Sequence, residues 1–487
     1  MHSTRAHVFS ICVLSVFATG ASCGQNAGET TTTGESEENA AEESTAETTP
    51  EPGSDTASAE AVPLPAIPEI TEATAEERQA PTISDLDGAE TALREGHYQA
   101  VEQALGQLSG ANSARGKLLR ARLLLETGRY REAAELANGI RDAGLRVAAQ
   151  TVRGEAQMAV GDLDGAERTL GALKDEASAH RARVLLGRTL SRRGRLAEAE
   201  PIFMRLIGAY NDGSIGERDA EGLAYVAMAA MGLGSARDAN DAFQESNRVN
   251  PRRVETQLEW ARVFLSKYDA GHAEESINAA LQVNPEHPVA HALLARIKIE
   301  QSFDFASAEE HLNRALAVNP NLVMAHVTRA GMALRDLDIA AADGHLDRAL
   351  AIDSNDLEAL SVRAAVRYLA DDDAGFQAAK REVLRRHRTY SELYNILGEF
   401  AEWEHRYPDI VALSREAVTL NSSDARAHAA LGLNLLRMGD EDAALPALRS
   451  AWQRDRFNVR VYNTLNFYDE VIPNQYGTFT DGPFVFR

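Results

Sequence analysis

Between Pro251 and Ser354 the sequence repeats itself. AALQVNP closes at Pro285, RALAVNP at Pro320 and RALAIDS at Ser354, which are steps of 34, 35 and 34 residues from Pro251. Ahead of each closing segment runs an Ala-x3-apolar-x2-Ala stretch: Ala273/Ile277/Ala280, Ala308/Leu312/Ala315, Ala342/Leu346/Ala349. Ten residues after each preceding closing residue stands a small one: Ala261, Ala295, Ala330. Small residues recurring on one helical face, with bulkier apolar residues between them, let two helices approach closely and cross. A closing Pro ends one helix and suits the first turn of the next, because it lacks an N–H. A chain bound to this period folds as a stack of helix pairs, all α, lengthening by one pair per repeat.

The register runs in both directions. REAVTLNSS reaches Ser422, 68 residues past Ser354, and another 34 reach Arg456, with Leu431-Gly432 and then Ala444, Leu448 and Ala451 between. Upstream, Gly128-Arg-Tyr-Arg-Glu-Ala133, Gly161-Asp-Leu-Asp-Gly-Ala166 and Gly194-Arg-Leu-Ala-Glu-Ala199 are spaced by 33. Gly96-His-Tyr-Gln-Ala100 is a slightly shortened first copy. The step from Ala199 to Ala239 is 40, which places an insertion within YNDGSIGERDAEG. In the repeat closing near Arg388, Phe376 and Lys380 replace the expected Ala and apolar residue, so this repeat is the expected weak joint. From about residue 82 to 470 the count is ten or eleven helix pairs.

These residues resemble the tetratricopeptide repeat, a helix–turn–helix unit with a 34-residue period. The resemblance implies a right-handed α-solenoid whose first helices line a concave face that binds a protein or peptide. In that register the inward positions include Leu258 and Arg262, Ala292 and Arg296, Val327 and Gly331, Asn395 and Glu399, Ala429 and Leu433. Leu258, Arg262, Arg296, Asn395 and Glu399 are the candidate binding residues. The carboxylate-clamp members of the family carry a Lys at the position held here by Leu258, Ala292, Val327, Asn395 and Ala429. None of these is Lys, so capture of a free C-terminal carboxylate in that mode is not expected. Each pair is expected to touch only its neighbours, so that stability adds up along the array.

Charge and the N-terminus place the chain. The net charge is −23, and residues 24–77 hold fourteen Asp/Glu with no Lys or Arg. That balance argues against a sequence-independent grip on nucleic acid, which needs clustered Lys and Arg. Met1 to Ser22 reads as a secretory signal: Arg5, an apolar run from Val8 to Ala21, then small residues. Thr-Gly-Ala-Ser-Cys23 resembles the lipobox of bacterial lipoproteins, although Gly20 stands where that family prefers Leu. The resemblance implies a diacylglycerol on Cys23 and a lipid anchor in the cell envelope. Gly24, by the same analogy, favours the outer membrane. The only other cysteine, Cys12, lies inside the leader, so the mature chain forms no internal disulfide. Residues 23–80 are low in apolar content and rich in acid and Pro, and are expected to form a disordered tether.

Catalytic chemistry is not evident. His287 and His291 have the i, i+4 spacing of a zinc pair, but Pro288, Val289 and Ala290 fill the middle where a metalloprotease needs a Glu. No nucleophile elbow, phosphate loop or dinucleotide fingerprint occurs. No cofactor, metal or small-molecule substrate is implied, and the chain is not expected to be an enzyme. The expected organisation is a leader at 1–22, the tether at 23–80, N-terminal repeats at 81–215, central and C-terminal repeats at 216–470, and a hairpin-like tail at 471–487. In the tail, Asp481-Gly482 is a turn signal between Gly477–Thr480 and Phe484–Phe486. NTLNFYDEVIPNQYGTFTDGPFVFR resembles the junction of a group of bacterial metallopeptidases that carry these repeats ahead of a gluzincin-type domain. That resemblance implies an alternative role as the anchoring and substrate-positioning region of a zinc metallopeptidase, with none of the zinc ligands in these residues.

Overall fold

The computed structural model describes residues 81–487 other than 268, 478, 482, 483 and 487. The expected leader, Cys23 and the tether lie outside the described residues. From Leu86 to Arg454 the chain is eleven antiparallel helix pairs. They are α1 (Leu86–Arg94) with α2 (Tyr98–Gln107), α3 (Ala114–Glu126) with α4 (Tyr130–Asn138), α5 (Arg146–Ala159) with α6 (Leu163–Gly171), and α7 (His180–Arg192) with α8 (Leu196–Asn211). Next come α9 (Ala220–Gly232) with α10 (Ala236–Val249), α11 (Val254–Ser266) with α12 (Ala270–Val283), α13 (Pro288–Ile297) with α14 (Phe305–Val318), and α15 (Val323–Arg335) with α16 (Ile339–Ile352). The last are α17 (Leu357–Leu369) with α18 (Asp373–Arg386), α19 (Glu392–Trp403) with α20 (Tyr407–Leu420), and α21 (Ala425–Arg437) with α22 (Glu441–Arg454). The insertion expected after Ala199 lengthens α8 and its exit, with Ile215 tucked into the core.

The periodic residues do what their spacing implies. Ala273, Ile277 and Ala280 have no exposed surface, and neither do Ala308, Leu312 and Ala315, nor Ala342, Leu346 and Ala349. Each small residue of a second helix sits where the partner helix comes closest, and each Ile or Leu fills the gap between. Many helices start on an Asp whose carboxylate accepts from the backbone three residues on, such as Asp162 from Gly165 at 2.9 Å and Asp356 from Ala359 at 2.8 Å. These caps satisfy N–H groups that the helix leaves without partners, each worth about 1 kcal/mol.

One expectation fails. The pairs do not touch only their sequence neighbours, because the coil is tight enough for its successive turns to meet. Asn284, at the end of the sixth pair, reaches Tyr98 in the first, its Nδ2 donating to the hydroxyl at 2.9 Å. Asn319 reaches Tyr130 in the same way at 3.0 Å, and Asn321 Nδ2 donates to the Gly128 carbonyl at 3.0 Å. Asn355 Nδ2 donates to the Gly161 carbonyl at 2.9 Å, and Asp353 pairs with Arg192. The series ends on Lys267 and Asp455, 2.9 Å apart. Each rung joins a pair to one five places further on, except Arg192–Asp353, which spans four, so neighbour-only additivity does not hold.

The degenerate repeat is present but altered. Phe376 is buried against Tyr368, ring centroids 5.5 Å apart. Lys380 reaches out of the pair to Glu416 at 2.5 Å and lies over the Tyr394 ring. After α22 comes α23 (Val459–Asn466), one more first helix, whose end winds into a π-helical turn at Phe467–Val471 and α24 (Ile472–Gln475). Two short strands, β1 (Phe479–Asp481) and β2 (Phe484–Phe486), pair antiparallel in the tail. Among the described residues no helix is long and apolar enough to cross a membrane.

Candidate functional site

The first helices line the inside of the coil, and ion pairs that skip a pair show how narrow it is. Arg181 on α7 bridges Glu155 on α5 at 2.9 Å and Glu255 on α11 at 2.5 Å. Arg188 on α7 donates to both oxygens of Glu259 on α11, at 3.2 and 2.5 Å. Arg296 on α13 reaches Glu358 on α17 at 2.7 Å and donates from Nε to Thr328 Oγ1 at 3.1 Å. Protein surrounds these groups on most sides, yet water still reaches them: the Arg262 side chain is 39% exposed.

Enclosure sets the protonation of the inner face. Burial pushes the Glu259 carboxyl up, but the Arg188 and Arg262 guanidiniums outweigh it and hold the group down at about 2. Glu126, at the end of α3, goes the other way: burial, with Glu155 nearby, raises it to about 7, against the hydrogen bond from Tyr98 and the Arg181 and Arg122 guanidiniums. Asp356 is raised to about 6 by burial and by Glu358 beside it.

Further along, four successive first helices share one cavity of about 110 Å³. Val327, Gly331, Val362, Ile396 and Phe400 form its apolar floor, and Arg296, Glu300, Arg335, Glu358 and Glu399 its polar rim. Gly331 keeps it open: a side chain there would start 3.6 Å from the Phe400 ring. An apolar side chain of a ligand fits the floor, while the rim pairs with main-chain or charged groups around it.

The five candidate residues divide. Arg296 and Glu399 line this cavity, Glu399 also pairing with Arg426. Arg262 faces the groove beside Glu259 at 3.7 Å, its guanidinium pulled down by burial. Leu258 and Asn395 do not face it. Leu258 is 5% exposed and packs with Leu293 and Leu294 of the next first helix. Asn395 is 6% exposed, its Nδ2 donating to Glu392 at 2.9 Å and to Asp424, the cap of the next first helix, at 3.3 Å. Each stands three residues before the small residue of its helix, Ala261 or Gly398. In so tight a coil the next helix covers that position, and the residue after it, Glu259 or Ile396, points inward instead. Sequence reasoning missed Arg181, Arg188, Glu259 and Glu358. Their signal was opposite charges on first helices two repeats apart, which a neighbour-only stack gives no reason to pair.

The two spaced histidines have structural duties. His287 caps α13, its Nδ1 accepting from Ala290 N at 3.4 Å. His291 is buried, with Nε2 on the Pro285 carbonyl at 2.8 Å and Nδ1 on His311 Nδ1 at 3.1 Å. Burial lowers both to about 4, so they are neutral at pH 7. The same tie from a first helix back to the closing segment recurs at His326, on the Pro320 carbonyl, and at His428, on that of Ser422. Among the described residues no group of three or more His, Cys, Asp or Glu is arranged to hold a metal ion.

Residues 151–214 match the tetratricopeptide repeat family. No curated protein matches the sequence. Among solved structures, the chain resembles the APC/C hetero-tetramer Cut9–Hcn1 at 14% identity, covering 78% of this chain and 71% of that one, with a TM-score of 0.44. A tetratricopeptide repeat protein from Parabacteroides merdae is similar at 16% identity, over 53% of this chain and 98% of that one, with a TM-score of 0.37. Yeast Tom70 is similar at 13% identity, over 75% and 98%, with a TM-score of 0.31. Residues 151–214, the segment that matches the tetratricopeptide repeat family, lie inside the array of eleven helix pairs.

Proposed function

We propose that this protein is a scaffold that binds an extended protein segment inside its helical coil, held at the cell envelope through Cys23. The cavity built by α13, α15, α17 and α19 carries the reading: four repeats converge on one apolar floor ringed by charge, which suits an anchoring side chain of a peptide. The rest of the groove is lined by ion pairs already made, so affinity there comes from fit and from displaced water more than from new charge contacts. The test is a photo-crosslinking amino acid at Gly331, inside the cavity, against one at the exposed Gly344 on α16. A polypeptide captured in the source cell from position 331 alone supports the groove, and equal capture from both positions removes it. The anchor is tested separately, by loss of acyl labelling and release from the membrane fraction in Cys23→Ala.

A second reading makes the array the substrate-positioning region of a zinc metallopeptidase. It is favoured by α23, a first helix with no second helix beside it among the described residues. Val459, Tyr462 and Phe467 stand exposed there, as surface that a further domain would cover. A His-Glu-x-x-His in the same polypeptide beyond Arg487 supports it.

A further inference from the structure

The turns inside the pairs carry a second surface, which borders the groove cavity at Glu300 and Arg335. In six pairs the turn residue with positive φ is glycine: Gly96, Gly128, Gly161, Gly194, Gly234 and Gly439, at 72° to 85°. In four consecutive pairs it is not. Phe303, Leu337, Asp371 and His405 hold φ between 53° and 56°. Asp tolerates this conformation; Phe and Leu are poor choices for it, and strained backbone of this kind gathers where a side chain is needed in a particular place. What the strain secures here is exposure of apolar side chains: Phe303 is 58% exposed and Leu337 48%. Phe303 follows a π-helical turn, Lys298–Ser302, that ends α13 and re-aims the chain. Its ring meets Trp403 of α19 edge-on, centroids 5.5 Å apart, three pairs along the array. Trp403 is itself 40% exposed, and the Arg335 guanidinium lies 4.3 Å over its ring.

The surroundings are acidic. Glu300, Asp336 and Glu404 are exposed, and none makes an ion pair among the described residues. Asp371, whose side chain is 82% exposed, meets only Arg406, at 3.5 Å. The nearby bases are engaged: Lys298 with Glu274 at 2.8 Å, Arg335 on Trp403.

We propose that Phe303 and Trp403 form the anchor of a docking site for a basic protein segment carrying a large apolar side chain. That side chain seats against the two exposed rings, and flanking Lys or Arg side chains meet Glu300, Asp336, Asp371 and Glu404. An aromatic anchor supplies the burial, and the acidic turns supply orientation and rate of encounter. The two anchoring rings lie outside the lining of the groove cavity, while Glu300 and Arg335 border both sites.

The test uses the whole chain and three dye-labelled, end-capped hexapeptides, KKFLKK, EEFLEE and KKSSKK, read by fluorescence anisotropy. KKFLKK binds, and the other two bind about tenfold more weakly or worse. Phe303→Gly removes the ring and relieves the backbone at once. It weakens KKFLKK binding at least about fivefold, while its thermal midpoint stays at or above that of the unaltered protein. Gly331→Leu, which fills the groove cavity, leaves KKFLKK binding unchanged. The proposal is overturned if KKFLKK fails to bind, if EEFLEE binds as well, or if Phe303→Gly binds undiminished. It also falls if Gly331→Leu abolishes binding, because the peptide then sits in the groove.

Discussion

Asn284 donates from Nδ2 to the Tyr98 hydroxyl over 2.9 Å, although 186 residues separate them. The contact closes one turn of the coil onto the next, and the glycine two residues before the tyrosine makes it possible. At Gly96 an added Cβ would lie 2.1 Å from Asn284 Oδ1, and at Gly128 2.2 Å from Asn319 Oδ1. The turn glycines therefore serve twice, holding φ near 80° and leaving room for an amide from a repeat five places on.

Gly128→Ala thus strains its own backbone, at φ 79°, and displaces Asn319 from Tyr130. The left-handed strain costs about 1–2 kcal/mol and the buried hydroxyl left without its partner about 1–2 more. We expect a loss of about 2–4 kcal/mol in denaturant unfolding. With Asn319→Ala already in place, Gly128→Ala should cost only the backbone part. Additive effects would show that the two residues do not meet in solution.

The Glu126 carboxyl, raised from 4.5 to about 7 by burial, works against folding at high pH. Below about 4.5 it is protonated in both states and costs nothing; between there and 7 the unfolded chain ionises first, so stability is lost as pH rises. Glu126→Gln keeps an acceptor for Tyr98 and removes the charge. It should gain about 1–2 kcal/mol at pH 8, a figure reduced for partial water contact, and nothing at pH 4. A gain that is the same at both pH values would mean that ionisation is not its source.

Glu259 has the opposite sign. Its carboxyl is held at about 2 beside Arg188 and Arg262, so its stabilising effect is complete above 4.5 and fades as pH falls towards 2. Glu259→Gln should lose about 1–2 kcal/mol at pH 7, with the two proteins converging in acid. Parallel acid-unfolding curves would mean that the pair with Arg188 contributes through shape alone.

Local periodicity was the most legible part of the chain. Ala273, Ile277 and Ala280 announce a buried stripe because helix geometry fixes which residues share a face, and all three are fully buried. What the sequence hid was curvature. Whether Leu258 or Glu259 faces the groove depends on how steeply successive pairs rotate, a small angle per repeat that no single helix encodes. The same angle decides that Asn284 meets Tyr98. Asn284, Asn319 and Asp353 do recur at the closing position, but a recurring polar residue at a helix end reads first as a cap. Phe303 was legible only as a missing glycine.

The ninth pair carries the last prediction. Lys380 occupies the position held by Ile277, Leu312 and Leu346 in preceding pairs, all fully buried. Its ammonium leaves for Glu416 and the Tyr394 ring, and among the residues of α18 only Phe376 and Val383 are buried. Fewer apolar contacts hold α18 to its partner, so its amides should exchange about tenfold or more faster than those of α16. Lys380→Leu gives up a pair whose acidic member is half exposed, worth at most about 1 kcal/mol, and gains about 1.5–3 from apolar burial. We expect it to raise stability by about 1 kcal/mol and to slow exchange in α18 towards that of α16. If it lowers stability instead, the Lys380–Glu416 bridge is what joins the ninth pair to the tenth, and the departure from the repeat pattern is a joint held by charge.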